Sequence, residues 1–427
     1  MEIQIEDLSS IKKKISVEIP MEQVSREMDS FYGELKKKAK IKGFRPGKVP
    51  REILERYFKD YVKAEVAQKL IQDTYLEAIS EGHLQPVSTP IIDPGELEKD
   101  KPFHYTMTVE VKPEIKIEGY VGLTLEGKKE EVKDEEVEER LKNLQSLHAI
   151  LKTIPEPRPI QRGDFVLLDY ETWLEDKPLE EGKAKDYTIE VGGGRFIPEL
   201  EEALIGLKTE EEKEIQVSFP KDYGYKKWAG KTLSFRVKIK EIKEKILPPL
   251  DDEFPKNFGD YTSLEAFKKK IKADLEQEKE AILRKQLKDQ IVDRLLEANS
   301  FEVPESLVRS QARALVSDMK LRLAAQGMGL KDLNLSEEKL EEDYRELAQK
   351  LVRTYLILEK IASQEGIEVK EEEIEERLKE ISERSRQPLE SLKRLYETRN
   401  LKPELKAEIL NEKTLNFLLE KAQIQYR

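Results

Sequence analysis

The sequence predicts a multidomain α+β protein: an N-terminal α+β domain, a small β-rich domain and a C-terminal all-α domain, together elongated. Three observations predict it. The chain has 427 residues, which at about 150 per domain suggests about three domains. Its apolar periodicity changes along the chain, from mixed strand and helix spacing, to short period-two runs, to helical spacing alone. In addition, 38% of the residues are charged and 38% hydrophobic, where about 25% and 45–50% are usual. That balance suits several small modules with much surface per residue. The 76 Lys+Arg and 88 Asp+Glu leave a net charge of −12. No run approaches the roughly 20 apolar residues that a membrane span needs, and the acidic start at residues 1–7 lacks the apolar core of a secretory signal. No membrane partner is therefore expected, and a cytoplasmic location is. Cysteine is absent, which removes disulfides, thiol catalysis and Cys-ligated metals. His83, His104 and His148 stand in no metal-ligand spacing, so neither a metal nor another cofactor is expected.

In residues 1–113, Ile15, Val17 and Ile19 alternate as in a half-buried strand. Pro20 then suits a helix start, and Met21, Val24, Met28, Phe31, Tyr32 and Leu35 follow at helical spacing. A Gly/Pro loop interrupts, after which Ile53, Leu54, Tyr57, Phe58, Tyr61, Val62, Val66, Leu70, Ile71 and Tyr75 continue a helix. Phe103, Tyr105, Met107, Val109 and Val111 alternate again, predicting a strand. Residues 114–152 read as a connector, with one charged helix over 134–151. The Pro-rich run at 154–160 is a stiff extended spacer. Within 153–245, short strands are expected at 165–173, 187–191, 214–219 and 233–242, with a short helix after Pro198. Residues 246–427 are predicted to be helical from Thr262 onward, broken at Val303-Pro304, at residues 327–329, and at Gly366, Pro388 and Pro403. There is no fixed-period repeat, which argues against a solenoid.

The most informative stretch is residues 36–51. It holds eight basic residues (Lys36, Lys37, Lys38, Lys40, Lys42, Arg45, Lys48, Arg51) and no acid, on a chain of net charge −12. A local positive patch on an acidic body gives an orientation-dependent attraction to a polyanion. The sequence Gly43-Phe44-Arg45-Pro46-Gly47-Lys48-Val49-Pro50 places one aromatic and two cations in a turn shaped by two glycines and two prolines. From charge alone, an ordinary solvated helix–loop–helix is as good a reading. A free nucleic-acid-binding domain is a weaker one, because no aromatic stacking platform accompanies the loop.

That octapeptide resembles the ribosome-docking signature of bacterial trigger factors, a Gly-Phe-Arg-x-Gly-x-x-Pro loop flanked by helices. The resemblance implies docking at the ribosomal polypeptide exit site through Gly43, Phe44, Arg45, Pro46, Gly47, Lys48 and Pro50. Phe44, Arg45 and Lys48 would contact an exit-site protein and adjacent rRNA. It extends to the order of the domains, and to Leu247-Pro-Pro-Leu-Asp-Asp-Glu-Phe254 and Val303-Pro-Glu-Ser-Leu-Val308.

The middle segment resembles prolyl isomerases of the FK506-binding-protein type. The resemblance rests on Leu168-Asp169-Tyr170, Pro178-Leu179-Glu180, Tyr187-Thr-Ile-Glu-Val-Gly192, Phe196-Ile197-Pro198, Phe219-Pro-Lys-Asp-Tyr-Gly-Tyr225 and Thr232-Leu-Ser-Phe235. It implies walls made by Tyr170, Tyr187, Phe196, Ile197 and Phe235, a hydroxyl donor at Tyr225, an acceptor at Glu180, and substrate contacts at Leu179 and Leu200. Two positions depart from the pattern: Leu200 stands where small members carry tryptophan, and Glu180 stands where Asp is usual. The segment 225–231 is also short. The glycines at 192–194 do not form a nucleotide loop, since no Lys-Ser/Thr pair follows.

The expected function is an ATP-independent chaperone that meets nascent and unfolded polypeptides at the ribosome and isomerises prolyl bonds, with a possible homodimer off the ribosome. The helical part would hold clients, with Met319, Leu321, Leu323 and Met328 as candidate adaptable contacts. Two other readings remain open at this point: an isomerase with adaptor domains, and an RNA-binding protein using the basic loop.

Overall fold

Period-two runs near the N-terminus become a four-stranded antiparallel sheet. Strand β1 (Glu2–Asp7) turns into β2 (Lys12–Ile19), helices α1 (Met21–Lys38) and α2 (Arg51–Glu81) follow, and β3 (Ile91–Asp93) and β4 (Phe103–Glu110) complete the order β1-β2-β4-β3. The computed structural model describes residues 1–41, 44, 45, 47–155, 158–174, 177–194, 196–223, 225 and 227–427, apart from the side chains of Glu180 and Glu181. The alternation settles one face of the sheet: Ile15, Val17 and Ile19 of β2 and Phe103, Tyr105, Met107 and Val109 of β4 are buried. They pack with Val24, Met28 and Tyr32 of α1 and Leu54, Val62, Val66 and Leu70 of α2. The buried Tyr105 hydroxyl meets Thr74 Oγ1 at 2.8 Å, so its polar end is satisfied inside the core. Two members of the predicted α2 stripe, Tyr57 and Tyr61, lie outside this core and are exposed.

The chain forms two compact units, Met1–Lys128 with Leu283–Arg427, and Lys129–Ile282. Strand β5 (Thr124–Gly127) closes the first stretch of unit 1. Unit 2 begins with α3 (Asp134–Leu147), which stops earlier than the helix expected over 134–151. Ile150 and Leu151 instead belong to β6 (Ile150–Thr153), paired antiparallel with Lys243–Ile246 of a later strand. Strand pairing there overrides the local helical spacing. The rest of the unit is β7 (Phe165–Leu174), β8 (Lys177–Glu190), α4 (Pro198–Leu204), β9 (Glu212–Ser218) and β10 (Thr232–Ile246). The order is β6-β10-β7-β8, with β9 beside the other half of β10. Val166 and Leu168 of β7 and Phe235, Val237 and Ile239 of β10 close on Leu200 and Leu204 of α4. A separate cluster joins Val137 and Leu141 of α3 to Phe254, Phe267 and Ile271.

The helices of the C-terminal part are α5 (Leu264–Ala298), α6 (Glu305–Ala325), α7 (Glu337–Asp343), α8 (Arg345–Glu365), α9 (Glu371–Ser385), α10 (Leu389–Thr398) and α11 (Lys402–Lys421). Most breaks fall as the sequence predicts: Pro304 and Pro388 precede α6 and α10, and Gly366 ends α8 in the left-handed region (φ 66°). The break expected at Pro403 falls just before it, between Thr398 and Lys402. Pro403 itself sits in the first turn of α11, where its missing N–H costs nothing. The sequence gives no hint that β11 (Gln423–Tyr426) pairs parallel with β5, nearly 300 residues earlier. The Gln290 side chain bonds both the N–H and the C=O of Glu126, and Leu125 is buried with Leu287, Ile291, Ile357, Ile361 and Leu418. The helical part of unit 1 thus has several small apolar clusters instead of one large core. Among the described residues, no helix is long and apolar enough to cross a membrane.

Candidate functional site

The basic loop is built outward from buried anchors. Helix α1 ends at Lys38, and Ala39 caps it by donating its N–H to the Leu35 carbonyl at 2.7 Å. Ala39 and Val49, on either side of the turn, are both buried in the core of the N-terminal sheet and helices. Between them Gly47 takes φ 82°, a left-handed conformation that L side chains rarely adopt. Its N–H reaches back to the Lys36 carbonyl at 3.0 Å, and Lys48 N–H bonds the Arg45 carbonyl at 3.0 Å. Pro50, extended at φ −63°, ψ 150°, leads into α2. This frame leaves Phe44 39% exposed and keeps Arg45 and Lys48 exposed beside it. Gly43 and Pro46 lie outside the described residues. Lys36, Lys37, Lys38 and Lys40 face solvent. Arg51 does not extend the patch outward, because its guanidinium stacks 3.7 Å from the Tyr32 ring centre and pairs with Asp29 and Glu55.

In unit 2 the predicted aromatic residues, 65 positions apart in sequence at their extremes, meet on one side of the sheet. Tyr170 of β7 lies 5.8 Å from Tyr187 of β8, 5.7 Å from Phe196 before α4 and 6.3 Å from Phe235 of β10, measured between ring centres. Tyr187 and Phe196 are 5.5 Å apart. These are edge-on and tilted contacts of the kind aromatic quadrupoles favour. Phe235 and Leu200 are fully buried and back the cleft; Tyr170, Phe196 and Leu179 are half-buried; Ile197 is almost wholly buried. Tyr187 and Tyr225 are 41% and 42% exposed. Burial raises the Tyr170 phenol above its ordinary value, with the Tyr187 phenol a smaller cause, so it stays a neutral hydroxyl. The Glu180 side chain lies outside the described residues.

Three supports of this cleft escape a reading of the sequence. Glu201 of α4 is a buried carboxylate that accepts the N–H groups of Gly194 and Phe196, both at 2.9 Å, fixing the backbone that presents the Phe196 ring. Two bulges flank Tyr170 and Tyr187: β8 carries an extra residue between Ala184 and Tyr187, and β10 carries one between Ile239 and Glu241. The Asp169 carboxylate accepts the Asp186 N–H at 2.8 Å, and the Lys240 ammonium bridges Asp169 and Asp186 at 2.9 and 2.7 Å. The Lys240 contact, followed by the Asp186 N–H, holds the Asp169 carboxyl below the usual range. The third support is Trp228, whose ring packs edge-on against Phe235 at 6.0 Å and Tyr225 at 5.4 Å. It is one of only two tryptophans, and that rarity three residues after Tyr225 was the available signal.

Of the client-contact candidates, Leu321 is 69% exposed at the end of α6, and Met328 is exposed beyond it. Met319 is partly covered and receives the Tyr344 hydroxyl at 3.5 Å. Leu323 is half-buried.

Comparison with known proteins matches three stretches of the chain. The family described as bacterial trigger factor protein matches residues 1–144, and its C-terminal counterpart matches residues 263–420. Between them, FKBP-type peptidyl-prolyl cis-trans isomerase matches residues 156–240. The trigger factor of Geotalea uraniireducens (strain Rf4) is 38% identical over 425 residues, covering 99% of this chain and 98% of that protein. That of Syntrophotalea carbinolica is 38% identical over 426 residues, covering 100% and 97%. A solved structure of the trigger factor chaperone, described for its promiscuous substrate recognition, shares the fold at a TM-score of 0.56 and 22% identity, over 98% of this chain and 99% of that one. With relatives at this identity over nearly its whole length, the chain belongs to the trigger factor family of chaperones and carries an FKBP-type peptidyl-prolyl isomerase domain.

Proposed function

We propose that this chaperone docks beside the ribosomal polypeptide exit site through Phe44, Arg45 and Lys48, receives nascent chains there and isomerises their prolyl bonds in the cleft of unit 2. In this assignment residues 1–113 dock, 114–152 link, 153–245 isomerise and 246–427 hold clients. The protein works in the cytoplasm, partly bound to ribosomes and otherwise free or paired with a second copy. The observation that carries the docking reading is the exposed Phe44–Arg45–Lys48 tip held on buried Ala39 and Val49. An aromatic residue and two cations on a stiff turn suit an apolar notch on an exit-site protein next to rRNA phosphates.

The isomerase step asks little of the cleft chemically. The barrier to peptide rotation is about 18–20 kcal/mol because amide resonance resists twisting. A dry aromatic cleft disfavours the charge-separated amide form, and a site shaped for the twisted amide binds it better than either isomer. Tyr170, Tyr187, Phe196 and Ile197 form the walls, Leu179 lies at their edge, and Phe235 and Leu200 support them from below. The Tyr225 hydroxyl would donate to a substrate carbonyl, and Glu180 would accept at the rim. No step needs a nucleophile, a metal or ATP. Clients leave when they bury their own apolar surface.

Cosedimentation with ribosomes tests docking. Replacing Phe44, Arg45 and Lys48 with alanine should weaken association about tenfold or more while leaving prolyl isomerase activity intact; three lost phosphate and apolar contacts support that size. Undiminished association would sink the docking assignment. Replacing Phe196 and Tyr225 with alanine separates a chaperone from an isomerase with adaptors, because aggregation suppression of a proline-free client should persist.

A further inference from the structure

Leu200, at the position where small FK506-binding proteins carry tryptophan, is fully buried and offers no surface to a ligand. An indole packs against Phe235 from another segment. Trp228 is half-buried, lies edge-on to Phe235 (6.0 Å, 82°), and packs 5.3 Å from Phe219 and 5.4 Å from Tyr225. Phe235, itself without exposed surface, therefore touches two partly open rings, Tyr170 at 6.3 Å and Trp228 at 6.0 Å. The turn that carries Trp228 is pinned by its backbone. Trp228 N–H bonds the Tyr225 carbonyl at 2.9 Å, Lys231 N–H bonds the Trp228 carbonyl at 3.1 Å, Gly230 N–H bonds the Pro220 carbonyl at 3.1 Å, and Phe219 N–H bonds the Lys231 carbonyl at 2.9 Å. An aromatic ring held this way contributes contact area with little ordering cost on binding.

From this geometry we infer that Trp228 is a substrate-contacting wall of the isomerase cleft, supplying from the short 225–231 turn the indole face against which the substrate proline ring packs. The inference rests on the isomerase reading of the cleft. A saturated proline ring presents C–H edges, which suit the electron-rich face of an indole.

Two measurements on the full-length protein test it. In the first, Trp228→Ala should lower kcat/KM for Phe-Pro tetrapeptides roughly 3- to 10-fold, chiefly through a higher KM, and Trp228→Phe should restore part of the loss. Unchanged kcat/KM in Trp228→Ala would overturn the inference while leaving the isomerase reading standing. Wild-type protein without isomerase activity would overturn both. In the second, Trp173→Phe leaves Trp228 as the sole tryptophan, with no disturbance of the turn. Its emission should shift on adding a Phe-Pro tetrapeptide and stay constant with the matching Phe-Ala peptide. No shift with either, or the same shift with both, would overturn the proline contact.

Discussion

The basic loop and the aromatic cleft solve opposite problems with the same chain. In the loop, function is contiguous: eight successive residues contain both the side chains that face outward and the glycine that bends the backbone, and Val49 anchors them. In the cleft, Tyr170, Tyr187, Phe196, Tyr225 and Phe235 come from three strands and two connecting segments, and only the sheet brings them together. The loop consequently acts through exposed charge, and the cleft through partly dry aromatic surface. The first should respond strongly to salt and weakly to loss of core packing; the second should do the reverse.

The sharpest way to break that contrast is Phe235→Ala. Removing a fully buried ring should destabilise unit 2 by about 3–5 kcal/mol and abolish isomerase activity, read by thermal unfolding and a prolyl peptide assay, while ribosome cosedimentation persists. Loss of both activities together would mean the two sites are not independent. Next in size is Glu201→Ala, which orphans two N–H groups near Phe196. A cost of roughly 1.5–3 kcal/mol, with a raised KM for prolyl peptides, is expected from unfolding and kinetic measurements.

Arg158→Ala should have a similar or slightly smaller effect at neutral pH, and its pH dependence has a definite sign. Burial works to raise the Asp164 carboxyl, but the two-pronged Arg158 contact (2.6 and 2.8 Å) and the Gln161 N–H outweigh it and hold the carboxyl below its ordinary value. A depressed carboxyl stabilises the fold above its unfolded pKa of about 3.9, and that contribution is lost as pH falls through the folded value. The stability gap between wild type and Arg158→Ala should therefore be full at pH 7 and shrink on acidification below about pH 4. Denaturant unfolding at several pH values measures it; a gap independent of pH would contradict this account. The smallest effect concerns salt. Raising it from 50 to 200 mM should weaken ribosome association roughly tenfold if Arg45 and Lys48 each neutralise one phosphate, and should leave the KM for an uncharged prolyl peptide nearly constant.

How much could be read from the sequence follows the same division. In the loop, the exposure of Phe44, Arg45 and Lys48 and the left-handed Gly47 follow from local spacing, whereas nothing local shows that Arg51 is spent on Tyr32, Asp29 and Glu55. The aromatic residues that meet around Tyr170 were legible as a pattern of positions, but what supports them was not. Glu201 looks like any acid near a helix start, and the Asp169–Asp186–Lys240 clip depends on two bulges that no local spacing reveals. Trp228 was overlooked because tryptophan was sought at Leu200. In the fold, Ile150 and Leu151 continue the helical spacing of α3 yet become a strand, since β10 offers unpaired backbone there. β1 escaped because its outward face is acidic and exposed, and β3 because all three of its residues are exposed.

The parallel pairing of β5 with β11 bears on the order in which the molecule can be made. Unit 2 is one continuous stretch, Lys129–Ile282, and can finish folding as soon as it has left the ribosome. Unit 1 is interrupted by all of unit 2, and its strand at Thr124–Gly127 has no partner until Gln423–Tyr426 is synthesised. Contacts of such sequence separation form late and slowly. Until then the chain carries an unpaired strand edge and the apolar Leu125 without its neighbours from α8 and α11, the same hazards that it shields in others. During its own synthesis, a chain of this topology exposes the features that a chaperone covers.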